Sequence, residues 1–191
     1  MVDSSLFQQN KTSDMTLQRL FPSSVVAGGY LAGFIICALL LGAAYYFEYQ
    51  LFLDPCPLCI VQRIATLAVG IGCLLAFLSR NTRLPQLASL VFTFASSVFG
   101  IWVSHRHVWL QGLPADEVPE CGPSVEYMAE VLPFTELVTF MLQASGSCAD
   151  VSWSFMSMSM PEWMRVVFVG FAVVSAIGLV RAIQMPKPHD A

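Results

Sequence analysis

Apolar residues fall along this chain in four long runs, set apart by polar and turn-forming segments of very unequal length. The runs cover Val25 to Phe47, Leu58 to Leu78, Leu87 to Ser104 and Trp163 to Ile183. A hydrocarbon core about 30 Å thick takes about 20 mainly apolar residues in helical form, and each run comes near or exceeds that with few or no charges inside. The pattern predicts an all-α integral membrane protein, a four-helix bundle with a long second outer loop. The membrane domain spans residues 25–183, preceded by a polar leader (1–24) and followed by a short tail (184–191). The first run has a second reading as a cleaved signal peptide, because Lys11 and Arg19 precede it and Gly42-Ala43-Ala44 offers small residues. Its apolar stretch exceeds the usual h-region and follows a polar leader, so an uncleaved signal anchor fits better.

Composition agrees with the pattern: 56% hydrophobic and 12% charged residues is too apolar for an ordinary soluble domain. The basic residues then orient the bundle, since flanks rich in Lys and Arg stay cytoplasmic. Lys11 and Arg19 precede the first run, Arg80 and Arg83 fill the turn between the second and third, and Arg181 and Lys187 follow the fourth. Both termini are therefore expected in the cytoplasm. The loops at about 48–57 and 105–162 carry the acidic residues, among them Glu48, Asp54, Glu120, Glu136 and Glu162, and are expected outside. A net charge of −4 and this acidic outer face give no support for nucleic-acid binding.

Six cysteines sort by this topology. Cys37 and Cys73 fall within runs, where a lone thiol behaves as a small hydrophobe. Cys56, Cys59, Cys121 and Cys148 fall on the outer side, where disulfides form and persist in a bacterial envelope. Four cysteines allow three pairings; proximity favours Cys56 with Cys59 and Cys121 with Cys148. A long-loop disulfide reads naturally as a staple. A bond across two intervening residues closes almost no loop, so it does little to the unfolded chain. Cys-x-x-Cys instead keeps a resolving sulfur always within reach, which suits rapid exchange. It also occurs in metal sites, which need two further ligands.

The segment Asp54-Pro55-Cys56-Pro57-Leu58-Cys59 leads into the second run, so Cys59 is expected in the first helical turn, where free amides and the positive end of the dipole favour a thiolate. Arg63 follows one turn below on the same face. An arginine just inside an apolar span is costly unless it snorkels to the interface, and such a residue usually marks function.

The run Pro55-Cys56-Pro57-Leu58-Cys59-Ile60-Val61-Gln62-Arg63 strongly resembles the first active-site motif of the disulfide bond formation protein B (DsbB) family. The likeness extends to the four apolar runs, the loop with its two cysteines, Ser145-Gly146-Ser147-Cys148-Ala149, and Met160-Pro161-Glu162-Trp163. Only about 1–20 and the tail after Ile183 lie outside it. The resemblance implies a bacterial inner-membrane enzyme that reoxidises a periplasmic DsbA-type thiol oxidase and delivers the electrons to ubiquinone, or to menaquinone without oxygen. It implies disulfides Cys56–Cys59 and Cys121–Cys148, with Cys121 meeting the partner and Cys59 engaging the quinone. Arg63 would supply the electrostatic setting, and His107, in Arg106-His107-Val108-Trp109-Leu110-Gln111, resembles a histidine near the quinone. Two departures stand out: Pro57 lies inside the Cys-x-x-Cys, and Gln62 occupies a position where an acidic residue is often found.

Two other functions compete. A reductase sending electrons outward would need reactive thiols reachable from the cytoplasm, and only Cys37 and Cys73 qualify. A non-catalytic metal-binding membrane protein would use the four outer cysteines, but metal transport leaves polar residues in several spans, and here Arg63 alone stands out. In the long loop, Leu132 to Leu142 has helical spacing suited to lying along lipid, and Trp153, Phe155, Met156, Met158 and Met160 continue an apolar rim.

Overall fold

The computed structural model describes residues 23–114, 116–120, 122–123, 125–143 and 145–184. Four long helices form the body: α1 (Ser23–Leu51), α2 (Pro57–Leu78), α3 (Arg83–Gln111) and α6 (Met160–Gln184). All four are long and apolar enough to cross a membrane. Between α3 and α6 the long loop folds into α4 (Val125–Val131), α5 (Phe134–Gln143), a 3₁₀ turn (Gly146–Cys148) and a hairpin of β1 (Ser154–Phe155) and β2 (Met158–Ser159). Helices α1, α3 and α6 run past their apolar runs at both ends, most of all α3, while α2 ends with its run at Leu78. Helical hydrogen bonding does not stop where apolarity does, and the next-to-last turn of α3 carries His105, Arg106 and His107.

Local chemistry sets the helix ends that matter. Proline at the first position of α2 needs no amide partner, and the Cys56 sulfur caps the helix by accepting from the Cys59 amide at 3.4 Å. At α6, the Glu162 carboxylate reaches back to the amide of Ser159 at 2.7 Å, half of a capping box. Phe52, with φ 51°, breaks the chain out of α1 and starts the short link to α2.

Packing runs α1 on α2, α2 on α3 and α3 on α6. Small residues bring these helices close. A methyl placed on Gly100 would lie 2.6 Å from the Phe168 ring, and one on Gly72 would collide with Thr93 of α3. Three hydroxyls along α3 bond within their own helix, Ser89 to Pro85, Thr93 to Ser89 and Ser97 to Thr93, so these three pack without leaving a donor bare. Gly100→Ala is therefore expected to overpack the α3–α6 contact and cost about 1–3 kcal/mol, read as a lower midpoint of thermal unfolding in detergent. An unchanged midpoint would mean Phe168 yields freely. Large apolar side chains such as Ile35, Leu39, Ile71 and Val173 lie exposed on the bundle, as lipid-facing residues do.

At one end α1 and α6 touch, Phe171 against Gly33 and the Tyr30 hydroxyl against Gly178. Toward the other end a cavity lies between them. There the long loop covers the bundle: Met141 and Cys148 join Cys56, Leu58, Val61, Val103 and Leu110 in one buried cluster. Arg106 ties this cover down by donating to the Gln143 carbonyl at 3.2 Å.

Candidate redox site

The cap of α2 holds the site. Cys56 and Cys59 stand as thiols with their sulfurs 3.1 Å apart, one in the cap and one in the first turn. Two sulfurs at that distance need little motion of the chain to react with one another. The capping geometry explains the distance, because the bond from the Cys59 amide to the Cys56 sulfur pins one thiol over the other.

The turn Gly146–Cys148 carries Cys148, fully buried, into the same place. The sulfurs of Cys56 and Cys148 and a ring nitrogen of His107 all lie within 4.8 Å of one another. With Cys56 reduced, the hydrogen bond from its thiol is the main influence holding Cys148 down at about 6, aided by the Leu58 and Ser145 amides against the opposing effect of burial. Cys56 moves the other way. Hydrogen-bonded as a thiol to Cys148 and Cys59, and buried, it is pushed far up. Cys148 is thus the thiolate of the pair at neutral pH. Cys121, like residues 1–22 and 185–191 of the leader and the tail, lies outside the described residues.

Arg63 emerges on the α1 side of α2, where it pairs with Glu48 from the last turns of α1. It also donates to the Ala44 carbonyl at 3.1 Å and lies over the Tyr45 ring, 5.2 Å from its centroid. Glu48 was legible only as one more outer acidic residue. The clue to its pairing is a glutamate at the same end of α1 as the arginine of α2. His107, on α3, is buried, with Nε2 3.7 Å from the Cys56 sulfur and Nδ1 3.1 Å from the side-chain nitrogen of Gln62. Gln62 is itself buried, and its place in the site is a finding that sequence reasoning missed, having noted it only as a departure from an acidic residue.

Beside these groups lies a cavity of about 390 Å³, bounded by α1, α2, α3, α6 and the hairpin. Cys59, Arg63 and His107 line it, and Leu41, Phe47 and Trp153 help to make it apolar. Small-molecule sites typically measure about 300–1,000 Å³. Rings of Phe47, Trp153, Phe155 and Trp163 follow one another at 5.6, 6.1 and 6.3 Å along its wall. The hairpin turn behind them holds Met156 and Ser157 at φ 52° and 63°, a left-handed pair that fits a tight two-residue turn. The indole of Trp163 fixes the strand by donating to the Phe155 carbonyl at 3.1 Å.

The trio Cys56, Cys148 and His107 has donor atoms suited to a soft cation. A resident metal would occupy the same two sulfurs that disulfide exchange needs, so the two uses exclude one another. The competing four-cysteine metal set includes Cys121, which lies outside the described residues.

Fold and site define a class: a multi-pass helical membrane protein with three cysteines gathered at one end of the bundle, an oxidoreductase acting on protein disulfides. Residues 28–178 match the family model described as "Disulfide bond formation protein DsbB". The proteins named "Disulfide bond formation protein B" from Methylococcus capsulatus and Hahella chejuensis are 43% and 41% identical to this chain. The first alignment covers 78% of this chain and 90% of the relative, the second 80% and 92%. Its namesake from Marinobacter nauticus is 40% identical over 82% of this chain and 92% of its own length. The chain belongs to the DsbB family.

Proposed function

We propose that this protein reoxidises a DsbA-type thiol oxidase on the outer face of a bacterial inner membrane and passes the electrons through two cysteine pairs to a membrane quinone. The observation that carries the reading is the meeting of Cys148, Cys56 and Cys59 at the edge of an apolar cavity that lies between α1 and α6. An outward-running reductase has no comparable support, since Cys37 and Cys73 are buried packing residues among Ala65, Val69 and Phe168.

The donor's thiolate attacks the sulfur of Cys121 in a Cys121–Cys148 disulfide, and Cys148 leaves with the electron pair. Buried beside the cap of α2, Cys148 then attacks the sulfur of Cys56. The Cys56–Cys59 bond breaks, and Cys59 becomes the thiolate at the positive end of the helix. Meanwhile the donor's second thiol displaces Cys121 and leaves as a disulfide. Cys121 attacks Cys148, restores the loop disulfide and frees Cys56. Cys56 rejoins Cys59 as the electron pair departs, so two electrons and two protons leave the donor in each cycle.

A quinone, when bound, supplies a two-electron, two-proton acceptor. The cavity fits one in size and apolar lining, with Cys59, Arg63 and His107 as the polar contacts that would hold it. Its place between two spanning helices suits a ligand that arrives through lipid. Arg80 and Arg83 in the turn at the opposite end of the bundle agree with that end being cytoplasmic.

The test is quinone consumption by the purified protein in lipid, with a reduced DsbA-type protein as donor and ubiquinone or menaquinone as acceptor. Turnover with saturation in both is expected. No turnover by oxidised, folded protein with either quinone would refute the reading.

A further inference from the structure

The fit of Gln62 against His107 has a chemical consequence. A neutral imidazole carries one proton, and whichever nitrogen accepts a hydrogen bond forces that proton onto the other. At Nδ1 the neighbour is the Gln62 side-chain nitrogen, 3.1 Å away, which can only donate. At Nε2 the neighbour is the sulfur of Cys56, 3.7 Å away. The Cys148 main-chain carbonyl also lies within hydrogen-bonding reach of the ring, as an acceptor for an imidazole N–H. Glutamine and histidine are both buried, so bulk water does not scramble the arrangement.

We propose that Gln62 is a positioning residue of the exchange reaction: its amide donates to Nδ1 of His107 and so keeps the imidazole proton on Nε2, aimed at the sulfur of Cys56.

The inference rests on the relay described above and assigns a role to the step in which Cys56 departs. When Cys121 attacks Cys148, the Cys56–Cys148 bond breaks and its electron pair goes to Cys56. A sulfur buried among Cys59, Cys148 and His107 has little water to receive that charge, and burial alone opposes it. The Nε2–H bond stabilises the departing thiolate, and no proton need be transferred. Cys56 stays a nucleophile, ready to rejoin Cys59. With the other tautomer, the Nε2 lone pair would face the same charge and oppose it. Arg63 cannot serve instead, since it is directed to Glu48 and Ala44 on the α1 side.

Two measurements, neither needing quinone or donor, test the assignment. The first is ¹⁵N NMR of the imidazoles in the reduced, full-length protein in lipid nanodiscs. Only His105, His107 and His189 contribute, and His107→Gln assigns the signal. His107 is expected as the neutral Nε2–H tautomer, and Gln62→Glu, which places an acceptor at Nδ1, is expected to draw a proton to that nitrogen. A wild-type Nδ1–H tautomer, or a tautomer unmoved by Gln62→Glu, would overturn the proposal.

The second is the pH dependence of Cys56 alkylation with Cys59, Cys121 and Cys148 replaced by serine. The loss of one hydrogen bond to the thiolate is expected to slow the reaction roughly tenfold at neutral pH in His107→Phe, the equivalent of about one pKa unit. His107→Gln retains a donor near the sulfur and should remain near the wild-type rate. Equal rates in all three would defeat the proposal while leaving the relay to quinone untouched. Failure of quinone turnover with the expected tautomer in place would do the reverse.

Discussion

Cys148→Ser is expected to reduce donor-driven quinone reduction by roughly a thousandfold or more, because residues of one exchange chain act as a unit and serine cannot replace a sulfur in it. Without Cys148 there is no loop disulfide for the donor to attack and no thiolate to open the Cys56–Cys59 bond. Cys121→Ser and Cys59→Ser should be equally severe at their own steps. What separates Cys148 from Cys59 is a small dithiol in place of the protein donor. Such a molecule can reach the Cys56–Cys59 bond directly, so Cys148→Ser should retain dithiol-driven turnover while Cys59→Ser loses it. Retained turnover of Cys148→Ser with the protein donor would sink the assignment of Cys148 as the internal nucleophile.

The same contact gives a pH dependence with a definite sign. In the reduced centre the thiol of Cys56 is the leading influence that brings Cys148 down to about 6, so Cys148 is a thiolate above that pH and falls silent as the pH drops through it. Cys56→Ala removes that donor and should move the alkylation midpoint of Cys148 upward. A midpoint unmoved by Cys56→Ala would show that the two sulfurs do not share a proton.

Much of this arrangement could be read from the residues, because the signals were local. Four apolar runs announce four spanning helices, and Cys56-Pro57-Leu58-Cys59 with Arg63 one turn on announces a helix start bearing a thiol pair and a charge. Pro57 at the first position of α2 and Cys56 as its cap follow from nothing farther away than three residues. What stayed hidden depends on which helices are neighbours. That Glu48 meets Arg63 requires α1 to lie against α2, and that Gln62 meets His107 requires the end of α3 near His107 to lie against α2. His107 falls beyond the apolar run, which ends at Ser104, yet the helix continues and buries it. The descent of Cys148 onto Cys56 depends on the cover formed by the long loop, whose sequence speaks of surface helices and turns without naming the thiol they would approach.

Arg63→Gln is expected to lower kcat/KM for quinone by about a hundredfold, the usual scale for removing one preorganised charge from a site where charge develops. The guanidinium is held on three sides, by Glu48, the Ala44 carbonyl and the Tyr45 face, and it lines the same cavity as Cys59. Being fixed beforehand, it needs no reorganisation when negative charge arrives. Lysine keeps the charge but cannot hold both Glu48 and Ala44 with one planar fork, so Arg63→Lys should fall between glutamine and wild type. Glu48→Gln retains an oxygen acceptor for Arg63, and the ion pair is partly solvated, so its loss should cost less than tenfold, within the modest range for an exposed pair. The ordering Arg63→Gln below Arg63→Lys below Glu48→Gln distinguishes a functional charge from an interfacial anchor. An anchor would lose stability in all three and leave the kcat/KM of the folded fraction unchanged, and that result would remove Arg63 from the site.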